Sequence, residues 1–89
     1  MADAPKIDIY TKWGCPFCHR AVALLQRKGV AFDEHDVTMG GPEKARMLER
    51  APGSVTVPQV FVGETHIGGC DELHALDAAG KLDALLGLG

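Results

Sequence analysis

The fold is decided by residues 7–37, which read IDIYTKWGCPFCHRAVALLQRKGVAFDEHDV. Residues 7–10 alternate apolar and polar side chains as a strand does, and residues 16–28 carry apolar side chains at helical spacing. Gly29 is expected to end this helix, and a second strand is predicted over about residues 31–36. A strand, a helix and a strand joined by a crossover of this length predict a parallel pair in a right-handed βαβ unit.

The rest of the chain predicts a hairpin and three further helices. The helices are predicted over residues 43–50 and 71–79 and around residues 82–86, and the strands over residues 59–62 and 65–67. Gly63-Glu64 separates these two strands and predicts a β-hairpin with a two-residue turn. The order β-α-β-α-β-β-α-α predicts an α/β protein of thioredoxin-like architecture, in which helices flank a four-stranded mixed sheet. We expect residues 1–89 to form one domain.

Two thiols lie at the predicted start of the first helix, in the stretch Cys15-Pro16-Phe17-Cys18. Cysteines at this spacing lie on the same side of a helical turn, close enough to form a disulfide. The unpaired N–H groups and the positive dipole end of a helix N-terminus favour the thiolate, which is the reactive form of cysteine. Pro16 suits the first helical position, where an N–H is not needed. We interpret Cys15 and Cys18 as a redox-active pair.

Three other interpretations of this pair fit the sequence less well. A zinc site needs about four ligands, and no second Cys-x-x-Cys or His pair is present. The run from Cys15 to His19 also matches the haem c attachment pattern, but the βαβ frame and the proline in the loop argue against haem. An inert, buried pair conflicts with the exposed position of a helix N-terminus. We expect no metal, and we expect the four scattered histidines at the surface.

Composition and charge exclude several classes of function. The net charge is −3 and the sequence pI is about 5.7, and no basic stretch interleaved with aromatics suggests a nucleic-acid partner. The sequence shows neither a secretory signal nor an apolar run long enough to span a membrane. Three cysteines do not form a disulfide scaffold but fit one working pair and one extra thiol. These features predict a cytoplasmic protein that does not bind membranes.

Two further segments are candidates for ligand binding. Thr56-Val57-Pro58 precedes the third strand, and Pro58 marks either a simple strand start or a cis Val57–Pro58 bond. With the cis bond, the N–H and C=O of Val57 are expected to pair with an extended peptide. Lys12 precedes the thiol pair, and it is either a solvated lysine or a charge that favours the thiolate and meets a substrate carboxylate.

Gly68-Gly69-Cys70-Asp71 opens the third predicted helix. This segment is either an ordinary loop and cap or a seat for the two charged ends of an amino acid. In the second interpretation the helix N-terminus receives a carboxylate, and Asp71 receives an ammonium group. The Cys70 thiol is expected to be neither catalytic nor a ligand.

These motifs together resemble the glutaredoxin family, and within it the small bacterial dithiol type. The matching residues lie between positions 6 and 86 and include Tyr10-Thr11-Lys12, Cys15-Pro16-Phe17-Cys18-His19-Arg20, Thr56-Val57-Pro58-Gln59 and His66-Ile67-Gly68-Gly69-Cys70-Asp71. CPFC combined with TVP and GGCD at these separations is highly specific. The resemblance implies a thioredoxin-like fold and a glutathione-dependent thiol–disulfide oxidoreductase that reduces protein–glutathione mixed disulfides and protein disulfides.

The resemblance also implies a role for each motif. Cys15 is expected to be the nucleophile and Cys18 the resolving thiol. Lys12 is expected to meet the glycine carboxylate of glutathione, and the Val57 backbone to pair with the cysteine of glutathione. The remaining predicted glutathione contacts come from the same motifs and are Phe17, Thr56, Pro58, Gly69, the backbone of Cys70, and Asp71.

The family resemblance leaves one alternative function open. Some glutaredoxins carry an iron–sulfur cluster between two chains, held by the first thiol of each chain and two glutathione molecules. Pro16 disfavours this role in related dithiol forms, so we expect a monomer whose partners are glutathione and disulfide-bearing proteins.

Three positions depart from the usual family pattern. Phe17 replaces a common tyrosine, which removes a hydroxyl and keeps an apolar wall. Trp13 stands where many relatives have a small or acidic residue, and we expect it to change substrate preference. Gly53-Ser54-Val55 stands where relatives often carry Arg or Gln, so one basic contact to glutathione is expected to be missing.

Overall fold

The predicted order of elements is confirmed in the computed structural model, which describes residues 5–53 and 56–88. The elements are β1 Ile7–Thr11, α1 Pro16–Arg27, β2 Asp33–Asp36, α2 Gly41–Arg50, β3 Gln59–Val62, β4 Thr65–Gly68, α3 Cys70–Ala78 and α4 Leu82–Leu85. None of the helices in these ranges has the length and apolar character required to cross a bilayer.

The four strands form one mixed sheet in the order β2-β1-β3-β4. β1 pairs in parallel with β2, with Tyr10 opposite His35, as the predicted βαβ unit requires. β1 also pairs antiparallel with β3, and β3 pairs antiparallel with β4. The central position of β1 matters for function because the chain leaves its end directly into the Cys15–Cys18 stretch.

Both faces of the sheet are covered, so all five residues of β1 are buried. Ile7 and Ile9 pack on one face against apolar side chains of α1, α3 and α4. Tyr10 and Phe61 pack on the other face against Met47 of α2. Alternation along β1 therefore separates two buried faces rather than a buried face from a solvated one.

A cluster of charged side chains attaches α2 to the sheet. The buried Asp8 carboxylate contacts Arg50 Nη1 at 3.1 Å and His35 Nε2 at 2.9 Å, and His35 Nδ1 lies 2.7 Å from a Glu43 carboxylate oxygen. Arg50 also donates to the Tyr10 hydroxyl at 3.2 Å. Burial alone would raise the pKa of Asp8, but its hydrogen bonds with His35 and Arg50 lower it. Of the four histidines expected at the surface, His35 and His74 are only partly exposed.

Candidate active site

Cys15 is the N-cap residue of α1, and its sulfur faces the first turn of the helix. The Cys18 N–H donates to Cys15 Sγ at 3.4 Å, and the His19 N–H donates to the Cys15 carbonyl at 3.2 Å. Cys15 is partly exposed, Cys18 is buried, and both are free thiols. A sulfur at this position receives N–H groups that have no partner inside the helix, as the sequence predicted.

The two thiols have opposite electrostatic surroundings. Burial would raise the pKa of Cys15, but hydrogen bonds from the Cys18 thiol and from the N–H groups of Cys18 and Phe17, together with the Lys12 charge, lower it. Burial, the hydrogen bond to Cys15, the Cys15 charge and Glu34 raise the pKa of Cys18 to about 12. These surroundings therefore favour the thiolate at the partly exposed sulfur and the protonated thiol at the buried one.

The loop before β3 contacts the reactive sulfur. The Val57–Pro58 peptide bond is cis, as one of the two sequence interpretations predicted. The Val57 carbonyl oxygen lies 3.9 Å from Cys15 Sγ. The Gln59 side-chain amide donates to the Thr56 carbonyl at 3.0 Å and so fixes the loop. Thr56–Pro58 thus forms one wall beside the Cys15 sulfur.

Gln59 was not predicted as a site residue. It is buried in β3, and its Oε1 lies 2.6 Å from His66 Nε2 on the neighbouring strand. A polar side chain at the first buried position of an apolar strand was the signal in the sequence.

Gly69 brings the start of α3 close to this loop. A Cβ atom at position 69 would lie 3.2 Å from the Pro58 carbonyl oxygen, which is tighter than an ordinary contact. The Gly69 N–H donates to the Glu72 carboxylate at 2.7 Å. Gly69 therefore permits this close approach because it has no side chain, and the first-turn N–H groups of α3, from Cys70 onward, have no partner within the helix.

A groove of about 320 Å³ lies between the Thr56–Pro58 loop and the start of α3. Its lining residues are Phe17, Thr56, Val57, Pro58, Gln59, Gly69, Cys70, Asp71 and Glu72. We call it the GGCD groove. The structure thus brings together every predicted glutathione contact except Lys12.

Lys12 is exposed and lines a different groove, of about 620 Å³. Its charge still lowers the pKa of Cys15. The sequence also predicted that one basic contact to glutathione is missing at Gly53-Ser54-Val55. Ser54 and Val55 lie outside the described residues.

Cys70 has the surroundings of a structural thiol. Its side chain is buried at the start of α3, and its sulfur lies 3.4 Å from His74 Nδ1. Burial raises the pKa of Cys70, so its thiol stays protonated near neutral pH.

Comparison with known proteins identifies the family. A family profile described as Glutaredoxin matches residues 7–67. A glutaredoxin of Pseudomonas aeruginosa is 60% identical over 82 residues, which cover 92% of this chain and 96% of that protein. Glutaredoxin 3 of Escherichia coli is 52% identical over 80 residues, which cover 90% of this chain and 95% of that protein.

Solved structures agree with the sequence comparisons. The solution structure of a Brucella melitensis glutaredoxin has a TM-score of 0.82 and 49% identity, covering 99% of this chain and 95% of that one. A buckwheat glutaredoxin–glutathione complex has a TM-score of 0.81 and 29% identity, covering 93% of this chain and 77% of that one. The thiol pair at the start of α1, the cis-proline loop and these similarities lead to one conclusion: the chain belongs to the glutaredoxin family.

Proposed function

We propose that Cys15 is the nucleophile with which this glutathione-dependent thiol–disulfide oxidoreductase reduces protein–glutathione mixed disulfides. The observation that carries the proposal is the position of Cys15 Sγ, at a helix N-terminus and 3.9 Å from the Val57 carbonyl at the edge of the GGCD groove. The lowered pKa of Cys15 favours the thiolate, the form of the thiol that thiol–disulfide exchange requires.

The proposed reaction has two exchange steps. The Cys15 thiolate attacks the glutathione sulfur of the substrate, a bond forms between these two sulfurs, and the protein thiolate leaves. A second glutathione thiolate then attacks the glutathione sulfur bound to Cys15. Glutathione disulfide departs and the Cys15 thiolate is restored, so no other electron donor is needed.

Cys18 would act only on protein disulfides. There Cys15 forms a mixed disulfide with the substrate, and the Cys18 thiolate attacks Cys15 Sγ to release the second substrate thiol. Two causes that raise the pKa of Cys18, the hydrogen bond to Cys15 and the Cys15 charge, disappear when Cys15 is in a mixed disulfide. Although burial and the Glu34 charge still raise it, the pKa of Cys18 is therefore lower in the mixed disulfide than in the dithiol protein.

The GGCD groove is the proposed glutathione site. The Val57 backbone would pair with the cysteine residue of glutathione, because its carbonyl already faces the reactive sulfur. The first-turn N–H groups of α3 and the Asp71 carboxylate would hold the α-carboxylate and α-ammonium groups of the γ-glutamyl end. The bound glutathione named for the buckwheat relative supports this ligand. Lys12 would reach the glycine carboxylate from the neighbouring groove.

Coupled turnover tests the proposed function. The protein should reduce a glutathione mixed disulfide when glutathione and glutathione reductase are supplied, and should not do so with thioredoxin reductase alone. Cys15→Ser should abolish turnover. Cys18→Ser should retain reduction of the glutathione mixed disulfide and lose glutathione-independent reduction of protein disulfides. Turnover by the Cys15→Ser protein would contradict the assignment.

The same proposal covers the setting in which the protein acts. We place the protein, one glutaredoxin domain over residues 1–89, in the cytoplasm, because three cysteines that do not form a disulfide scaffold fit a reducing compartment, and we propose that it acts as a monomer. We do not favour the iron–sulfur carrier, because Pro16 in the loop between the two thiols disfavours it in related dithiol forms. Visible absorbance of the purified protein would favour the iron–sulfur carrier function instead.

A further inference from the structure

A second groove lies on the other flank of the α1 N-terminus. It measures about 620 Å³ and shares no lining residue with the GGCD groove. Its lining residues are Thr11, Lys12, Trp13, Gly14, Cys18, His19, Val22, Glu34 and Asp36. We call it the Trp13 groove. The substrate of the proposed reaction has two halves, and the GGCD groove receives only the glutathione half.

One strongly exposed apolar side chain, Trp13, lines this second groove, and a second, Met39, lies in the loop that contacts the Trp13 backbone. Trp13 is 85% exposed and Met39 is 94% exposed, the two highest values for large hydrophobic side chains in residues 5–53 and 56–88. Tryptophan and methionine are enriched in protein interfaces, and Trp often carries a large share of the binding energy. Two such side chains left in water, one of them in the segment that leads into Cys15, suit a surface that a partner covers.

Hydrogen bonds join the two loops that carry these side chains. The Trp13 N–H donates to Thr38 Oγ1 at 2.8 Å, and the Thr38 N–H donates to Asp36 Oδ1 at 2.7 Å. Met39 follows Thr38 directly in the chain. The loop that carries Trp13 and the loop that carries Met39 are therefore tied together before any partner binds, which lowers the entropic cost of docking.

The charge of the groove indicates what kind of segment fits it. The edge strand β2 contributes the exposed carboxylates of Glu34 and Asp36, and the Thr11 hydroxyl fixes Glu34 Oε2 at 2.8 Å. Lys12 is the opposing charge, but in the proposed complex it is paired with the glycine carboxylate of glutathione. With glutathione bound, the charges left in the groove are the carboxylates of Glu34 and Asp36, next to the exposed apolar side chain of Trp13.

We infer that the Trp13 groove docks the protein half of the substrate, and that it selects cysteines flanked by an apolar residue and by Lys or Arg. The apolar residue covers Trp13 and Met39, and the basic residue meets Glu34 and Asp36. This inference rests on the proposed function, because it concerns the second half of the same substrate.

Matched substrates and variants test the docking. The substrates are a glutathionylated peptide with Leu and Lys beside its cysteine, the same peptide with Gly and Glu there, and the mixed disulfide of glutathione and 2-mercaptoethanol. Trp13→Ala should lower kcat/KM for the Leu/Lys peptide about tenfold and leave the small substrate unchanged. Leu88→Ala, which removes an exposed apolar side chain elsewhere, is the control and should change neither.

Charge reversal tests the second part of the inference. The unsubstituted protein should have the higher kcat/KM for the Leu/Lys peptide, and Glu34→Lys should have the higher kcat/KM for the Gly/Glu peptide. The effect of Glu34 on kcat/KM should vanish in high salt. Glu64→Lys on the β3–β4 turn makes the same change in net charge and is the control. It should leave the preference between the two peptides unchanged.

Three results would overturn the inference. Equal losses for the peptide and the small substrate on Trp13→Ala would place Trp13 in the reaction itself. Unchanged kcat/KM for the Leu/Lys peptide in Trp13→Ala and Glu34→Lys would show that the groove docks nothing. If the unsubstituted protein did not reduce the mixed disulfide of glutathione and 2-mercaptoethanol, the proposed function itself would be wrong, and the docking inference would be wrong with it.

Discussion

Cys15 and Cys18 carry the same functional group, and their surroundings give them different chemistry. Cys15 receives N–H groups at the start of α1, whereas Cys18 is buried next to the Cys15 sulfur and is also disfavoured as a thiolate by the Glu34 charge. In the proposed mechanism, the first exchange step therefore takes place at the partly exposed Cys15 sulfur, and Cys18 reacts only after a mixed disulfide has formed.

This difference predicts separate titrations. In the reduced protein, iodoacetamide should alkylate Cys15 with a midpoint below the ordinary thiol pKa of about 8.5. In chains whose Cys15 is not yet alkylated, Cys18 should remain largely unmodified to well above that pH, since its pKa is about 12 while the Cys15 charge is present. Peptide mass spectrometry after pulses of reagent at each pH gives both curves. A shared midpoint near the ordinary value would contradict the electrostatic account.

The Lys12 charge should affect the pH dependence of Cys15 alkylation. Lys12→Met is expected to move the Cys15 midpoint to higher pH, because an opposing positive charge is lost. Lys81→Met, which removes a charge near α4, should leave the midpoint in place. An unshifted midpoint in Lys12→Met would contradict the statement that the Lys12 charge lowers the pKa of Cys15.

Among the elements, α3 and the cis-proline loop form the groove because glycine allows their close approach. Gly69→Ala would bring a methyl group to 3.2 Å from the Pro58 carbonyl and so push the start of α3 away. We expect KM for a small glutathione mixed disulfide to rise several-fold, with Cys15 alkylation unchanged. Ala78→Gly, at the far end of α3, controls for loss of helix stability, which costs about 1 kcal/mol. Equal effects of the two variants would contradict this role.

The attachment of α2 to the sheet depends on Arg50. Arg50→Met leaves the buried Asp8 carboxylate without its guanidinium partner and should reduce the free energy of unfolding by about 2 kcal/mol, measured in urea. Arg46→Met, on the exposed side of α2, should cost little. Turnover of the Arg50→Met protein should persist, because Arg50 lies outside both grooves.

The sequence predicted the elements that local patterns define, and it missed contacts that only the folded sheet creates. Apolar periodicity, glycines and CPFC were sufficient to place every helix and strand within a few residues. The Asp8–His35 contact joins neighbouring strands across β1 and β2, so no local pattern records it. The different groove for Lys12 and the support from Gln59 likewise depend on which strands become neighbours.

For the whole molecule, Asp8 links stability to pH. Its pKa in the folded protein is lowered, so its contribution is present above the unfolded value of about 3.9 and is lost as pH falls through the folded pKa. Urea unfolding between about pH 6 and pH 2 should show a smaller acid-induced loss of stability in Asp8→Asn than in the unsubstituted protein. Identical pH dependence of the two proteins would contradict this.

The central claim, that glutathione is exchanged at Cys15, is tested most directly by trapping the intermediate. The Cys18→Ser protein is treated with glutathione disulfide, and peptide mass spectrometry locates the added glutathione. The account predicts one glutathione per chain, on Cys15, removable by reduced glutathione. Glutathione found on Cys70 instead, or no adduct at Cys15, would contradict it.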